Sequence, residues 1–377
     1  MSNQLFQRLW ICLFASLATC GWVFAQDQDT SATLKTASSG LFPIGVGLND
    51  NIAAQPEKWQ LLNQQFTYVT PENCMKPASV APSEGTYRLD QCDRFVEYAE
   101  KNKLKIVGHC LVWAKDDRTP EWFFKDGDKP ASKELLLDRM RAFIRAEVGR
   151  YRGKIQMWDV VNEAIDDGDE LYRPSGWTRI AGEEFIAEAF RCAHECDPDA
   201  ILIYNDYNNE LLKKREKMIT LIRKLQADKV PVHAIGLQGH YELDQIPFDE
   251  IEATLKACRE LGLKVAISEL DIDMVPRGRW WADGGKYRDE MSKIDPYKDG
   301  CPPELLKRQA EQYGKLFAIF KKHSDVLLRV SFWNLHDGDS WLNYFPWNRV
   351  NHPLLFDREQ KAKPAYFEVI RELSRGR

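Results

Sequence analysis

The chain has 377 residues, 44% of them hydrophobic, enough to bury a large core as one big domain or two ordinary ones. Its formal charge of −5 at pH 7 gives no electrostatic footprint for nucleic acid or an anionic membrane, so neither is expected as a partner. Twelve Trp, thirteen Tyr and eighteen Phe supply many flat apolar faces, most of which serve the core in a globular protein.

Residues 1–25 have a short polar start with Arg8, an apolar run from Leu9 to Ala18, and small residues ending at Val23-Phe24-Ala25. This is the pattern of a secretory signal peptide cleaved after Ala25, and it predicts an exported protein, extracellular or periplasmic. Lipid anchoring at Cys20 is the alternative, because Leu17-Ala18-Thr19-Cys20 loosely matches a lipoprotein cleavage box. No other stretch approaches the ~20 apolar residues of a membrane span, so no membrane is expected for the mature chain. Residues 26–40 read as a polar N-terminal tail, and 41–377 as the domain itself.

Beyond the tail, strands and helices alternate. Strands are predicted over 42–48, 66–70, 105–112, the run from Trp158 into Asn162-Glu163, 201–204, 232–237, 265–270 and 328–333. Helices are predicted over 56–65, 89–103, 132–151, 178–195, 215–229, 248–261, 303–322 and 364–374. The third of these places Leu135, Leu136, Met140, Phe143 and Ile144 on one side. Eight strand-plus-helix units in one run fit an α/β fold of the single (β/α)8 TIM-barrel type better than a doubly wound sheet with a second domain. The segment 273–301, with Arg277, Arg279, Trp280 and Trp281, is long for a loop after the seventh strand, and reads either as a cleft wall or as a solvated flap.

In such a barrel the working face lies at the carboxyl ends of the strands. Polar and aromatic residues follow the apolar runs from the second to the eighth: Glu72, Asn73 and Lys76; His109 and Trp113; Asn162 and Glu163; Asn205 to Asn208; Gln238 and His240; Glu269 and Asp271; Trp333, Asp337 and Trp341. Any one of them could be structural, but seven of the eight strands end this way. Two strands end in Glu about a hundred residues apart, Glu163 and Glu269, which points to a pair of carboxylates facing one cleft. That pair suits glycoside hydrolysis, in which one carboxyl is held protonated by a dry or negative surrounding and the other is ionised and well hydrogen-bonded. Sequence spacing does not decide between retention (carboxyls ~5–5.5 Å apart) and inversion (~6.5–9.5 Å).

After the leader seven Cys remain, an odd number with no metal-ligand spacing, so mostly buried free thiols are expected. No nucleotide-binding glycine loop stands at a convincing position, and neither metal nor cofactor is expected.

The runs Thr70 to Lys76, Gly108 to Trp113, Trp158 to Ala164, Tyr204 to Asn208, Gly236 to His240 and Ile267 to Asp271 resemble glycoside hydrolase family 10, the endo-β-1,4-xylanase family. So do Phe332-Trp333, Ser340-Trp341 and Pro353 to Asp357, and the resemblance covers essentially the whole chain after residue 40. It implies a retaining endo-xylanase acting on xylan and xylo-oligosaccharides as a monomer, with Glu163 as acid/base and Glu269 as nucleophile. It further implies that Asn162 holds the sugar 2-hydroxyl, and that Glu72, Asn73, Lys76, His109, Trp113, Tyr207 and Gln238 bind substrate. Trp333 and Trp341 become floor and wall, and His240 hydrogen-bonds the nucleophile with Asp271 behind it. The chain departs from the family pattern at Ala114, where His is usual, and at Asn334, where Gly is common, with His336 shortly after. The first loses a polar group near the acid; the second adds bulk near the floor. Alternative readings are a related retaining β-glycanase cutting cellulose or mixed-linkage glucan, and a non-catalytic carbohydrate-binding barrel.

Overall fold

The computed structural model describes residues 32–376; the expected leader, with Cys20, lies outside the described residues. Eight strands, β1 (Ile44–Leu48), β2 (Tyr68–Pro71), β3 (Lys105–Trp113), β4 (Met157–Asn162), β5 (Ile201–Asp206), β6 (Ala234–Leu237), β7 (Lys264–Asp273) and β8 (Leu327–Phe332), pair in parallel in chain order. The ring closes where β8 pairs β1 at Ile44↔Val330. A short strand His240–Glu242 adds to the far end of β7, pairing Asp271 with His240. Helices lie between successive strands and cover the outside of the ring, while side chains fill its inside, and β4 is buried at every position.

Inside the ring, side chains stack by the two-residue period of the strands. Tyr68, Val107, Met157, Ile203, Ala234 and Ala266 form an apolar layer. Two residues further along the same strands stand His109, Asp159, Asn205 and Ser268, all buried, so the interior turns polar toward the carboxyl ends. The site rests on this polar layer.

Several boundaries differ from expectation. Residues 33–40 are not a free tail: Thr33 and Thr36 cap the short helix Leu34–Ala37 reciprocally. Leu34 is fully buried and its backbone N–H donates to Gln65 Oε1 at 2.9 Å. The helix expected over 178–195 is two, Gly176–Ala181 and Glu184–Cys196, because the chain turns at Gly182 with φ 64°. Strand β7 runs three residues past Leu270, and β5 runs to Asp206. The helices Pro303–Lys322 and Pro364–Ser374 stand as predicted.

The segment after β7 is anchored at its base. Val275, Met291 and Trp347 form a small buried cluster, Trp280 stacks on Trp347 with centroids 5.0 Å apart, and buried Asp273 pairs Arg349 at 2.8 Å. The seven Cys of the described residues are all free, five of them buried. No helix of the described residues is long and apolar enough to cross a membrane.

Candidate active site

Glu163 and Glu269 both emerge at the carboxyl face, and each is only 5% exposed. Glu163 sits just past β4 with φ 57°, in the left-handed region that non-glycine residues rarely adopt. That backbone is held by its own N–H, which donates to the Asn205 carbonyl at 2.9 Å, and by Arg173 Nε, which donates to the Glu163 carbonyl at 2.9 Å. Strain of this kind persists where surrounding contacts over-determine it, as they do here.

One chain of amides joins the two carboxyls. Gln238 Nε2 donates to Glu163 Oε1 at 3.1 Å and to Asn162 Oδ1 at 3.4 Å. Asn205 Nδ2 donates to Asn162 Oδ1 at 3.0 Å and to Glu269 Oε1 at 2.7 Å, while Ser268 Oγ donates to Asn205 Oδ1 at 2.6 Å. Asn205 reaches this position because residue 236 is glycine: a Cβ there would stand 2.1 Å from Asn205 Oδ1.

The two carboxyls are supported differently. Glu269 Oε2 meets His240 Nε2 at 3.2 Å, His240 Nδ1 meets Asp271 Oδ1 at 3.0 Å, and Trp341 Nε1 donates to Asp271 Oδ2 at 2.8 Å. Burial works against a charged His240, but Asp271 and Glu269 outweigh it and push the imidazole up to about 10. Burial likewise opposes ionisation of Glu269, and the hydrogen bonds from His240 and Asn205 prevail, bringing it down to about 2. Glu163 was expected to be the raised carboxyl of the pair. Burial does push it up, yet the Lys115 ammonium, 2.7 Å from Oε2, outweighs burial and the net shift is downward.

The other predicted residues line the same mouth. Lys76 Nζ donates to Asn73 Oδ1 at 3.0 Å and lies 4.9 Å from the centre of the Trp113 ring. His109 is buried, shares 2.9 Å with Asp159 through Nδ1, and meets Trp333 edge-on at 5.3 Å. Trp333 lies against β1 where residue 47 is glycine; a Cβ there would stand 2.8 Å from the indole. Trp341 packs on His240 with centroids 4.8 Å apart. Tyr207 is drawn into a charged cluster: its hydroxyl donates to Asp167 and accepts from Arg173 Nη2 at 2.7 Å, and Lys214 Nζ sits 3.8 Å from the ring centre.

The model of glycosyl hydrolase family 10 matches residues 33–372. The chain belongs to that family. It is 37% identical to an endo-1,4-beta-xylanase of Geobacillus stearothermophilus over 90% of this chain and 98% of the relative. It is 36% identical to a beta-1,4-xylanase of Dictyoglomus thermophilum over 98% of this chain and all of the relative. Among solved structures, a GH10 endoxylanase from a sugarcane soil metagenome superposes with TM-score 0.82 at 39% identity, covering 89% of this chain and 99% of the other.

In this family 10 glycoside hydrolase the sequence departures have structural consequences. Ala114 is fully buried and its N–H donates to the Asn162 carbonyl at 2.9 Å, and the charged contact from this loop to Glu163 comes from the next residue, Lys115. Asn334 does more than add bulk. At φ 91°, a conformation glycine takes freely, it donates from Nδ2 to Glu72 Oε2 at 3.0 Å and accepts the Trp341 N–H at 3.0 Å. His336 faces Asp339 at 3.2 Å, where Lys58 also pairs.

Sequence reasoning missed Lys115, Asn334 as a bridge, Asp159 behind His109, and the part of Asn205 and Ser268 in joining the carboxyls. Asn205 was legible as a polar strand end; Lys115 carried no such signal, since it lies two residues beyond the strand's Trp113 in a charged loop.

Proposed function

We propose that this enzyme is an endo-acting β-1,4-xylanase that retains anomeric configuration, with Glu269 as nucleophile and Glu163 as acid/base. The observation that carries the reading is the amide chain Gln238–Asn162–Asn205, which ties the two carboxyls to one site while their outer partners differ. The curated relatives named endo-1,4-beta-xylanase support xylan and xylo-oligosaccharides as substrate. The leader over residues 1–25 supports export, and the reading takes the enzyme to work as a monomer.

In the first step the Glu269 carboxylate attacks the anomeric carbon, the bond to the departing sugar oxygen breaks, and that oxygen takes the proton of the Glu163 carboxyl. In the second, Glu163, now a carboxylate, removes a proton from water as the water oxygen attacks the same carbon and the Glu269 ester bond breaks. The Asn162 carbonyl oxygen already accepts from Gln238 and Asn205, which leaves its Nδ2 to donate to the sugar 2-hydroxyl. A hydrogen bond there that tightens as the ring flattens lowers the barrier more than it tightens binding. Glu72, Asn73 and Lys76 take the glycone hydroxyls, helped by His109, Trp113 and Gln238; the Tyr207 ring, and the Trp333 and Trp341 faces, cover apolar sides of the sugars.

The test is purified enzyme on β-1,4-xylan with products followed by proton NMR. Short xylo-oligosaccharides should appear first as the β-anomer. Products that appear first as the α-anomer would overturn retention, and no oligosaccharide release would overturn the xylanase reading. Faster turnover of an aryl cellobioside than of the aryl xylobioside would move the enzyme to glucan.

A further inference from the structure

The Lys115 ammonium stands 2.7 Å from Glu163 Oε2 while Gln238 occupies Oε1. Gln238 therefore donates to one oxygen of the carboxyl that must deliver a proton, and the Lys115 cation faces the other. Lys115 is partly exposed, with its side chain 29% accessible, and lies 5.4 Å from the centre of the Tyr207 ring. The loop behind it is pinned: Asp116 accepts from the Gly176 N–H and pairs Arg179, each at 2.5 Å.

The other charged groups around Glu163 are largely spoken for. Asp206, at the end of β5, pairs Lys214 at 2.9 Å and accepts from the Tyr204 hydroxyl at 2.6 Å. On β3 and β4, His109 is engaged by Asp159. Arg173, in the loop after β4, binds the Glu163 carbonyl and Asp167. Glu269 on β7 is matched by His240. Buried Cys110, Tyr207 and the Trp113 indole also stand beside the Glu163 carboxyl. Lys115 is thus the cation in direct contact with the Glu163 carboxyl.

We propose that Lys115 is a positioning residue for proton transfer, and that its ammonium sets the basic edge of the pH range in which unactivated glycosidic bonds are cut. The inference rests on Glu163 being the acid/base. A cation at this distance favours the carboxylate, so the proton needed for bond cleavage is lost at lower pH than burial alone would dictate, in keeping with the downward shift at Glu163. The same contact assists the second step, where Glu163 must be a base. Lys115 therefore divides its effect: it penalises departure of the leaving sugar at neutral pH and favours attack by water.

The experiment compares kcat/KM against pH for wild type, Lys115→Met and Lys115→Arg on xylohexaose and on 2,4-dinitrophenyl β-xylobioside, whose leaving group departs without a proton. With xylohexaose the basic limb should move up by ~1–3 pH units in Lys115→Met and stay near the wild-type position in Lys115→Arg. With the dinitrophenyl substrate the basic limb should not follow the substitution. An unmoved limb for xylohexaose in Lys115→Met, with wild-type circular dichroism, overturns the proposal. So does an equal displacement with both substrates, which would mean that Lys115 acts through something other than the proton donor. Should Glu163→Ala leave xylohexaose turnover intact, the acid/base reading fails instead, and the inference with it.

Discussion

The Asn334 amide donates to the Glu72 carboxylate at 3.0 Å, joining the end of β8 to the end of β2 over the end of β1, which lies between them. The same residue takes the Trp341 N–H on its carbonyl oxygen, so one side chain sets both the Glu72 carboxylate and the backbone of Trp341, the residues proposed to bind and to wall the sugars. Burial pushes the Glu72 carboxyl up, and the Asn334 hydrogen bond is among the contacts that hold it back.

Asn334→Gly fits the backbone, since the position already has positive φ, and so isolates the loss of the side chain. A hydrogen bond to a carboxylate is worth roughly 1.5–3 kcal/mol, which sets an upper bound of about 10–100-fold on the rise in KM for xylo-oligosaccharides. kcat should change less than KM. Steady-state kinetics on xylotetraose checks this, and a kcat loss with KM unchanged would assign Asn334 to the chemistry rather than to binding.

Asp271→Asn tests the support of Glu269, the proposed nucleophile. Without the Asp271 charge, His240 loses the main cause of its rise to about 10, and Glu269 loses the charged donor that brings it to about 2. The Glu269 carboxyl then rises, so the acidic limb of kcat/KM should move to higher pH. Loss of a charge-assisted hydrogen bond, roughly 1.5–3 kcal/mol, predicts about 10–100-fold lower kcat. A pH profile with 2,4-dinitrophenyl β-xylobioside measures both.

Glu147 lies outside the site, on the helix Lys133–Arg150, fully buried with neither carboxyl oxygen hydrogen-bonded among the described residues. Burial pushes its carboxyl well above the usual range, and nearby Cys92 adds to the effect. A carboxyl raised in the folded state binds more protons there than in the unfolded chain, so stability falls as pH rises past its unfolded value toward the folded one. Glu147→Gln should therefore raise Tm at neutral pH and change it little below pH ~4, the range of unperturbed carboxyls. Calorimetry across pH checks this; equal Tm differences at all pH values would assign the effect to packing.

The barrel was legible because a parallel strand buried on both faces is a short apolar run, and because the helices Pro303–Lys322 and Pro364–Ser374 begin with Pro and carry regular apolar spacing. Residues 33–40 read as tail because seven of the eight are small or polar, while the buried Leu34 has no periodic partner in sequence. Gly182 was one glycine in a helical pattern, which composition alone does not mark as a turn. At the site the two Glu were legible as polar ends of apolar runs. Their electrostatics were not, because Lys115 and Glu163 are brought together only by the pairing of β3 with β4, and a charged loop residue gives no sign of its partner.

The central claim is that the Glu269 carboxylate forms a bond to the sugar. A 2,4-dinitrophenyl 2-deoxy-2-fluoro-β-xylobioside tests it, because fluorine destabilises the oxocarbenium-like transition states while the leaving group still lets the first step proceed. Peptide mass spectrometry of the inactivated enzyme should find one fluoroxylobiosyl group on the peptide carrying Glu269, at that residue. A label on another side chain, or steady hydrolysis with no label, would contradict the account.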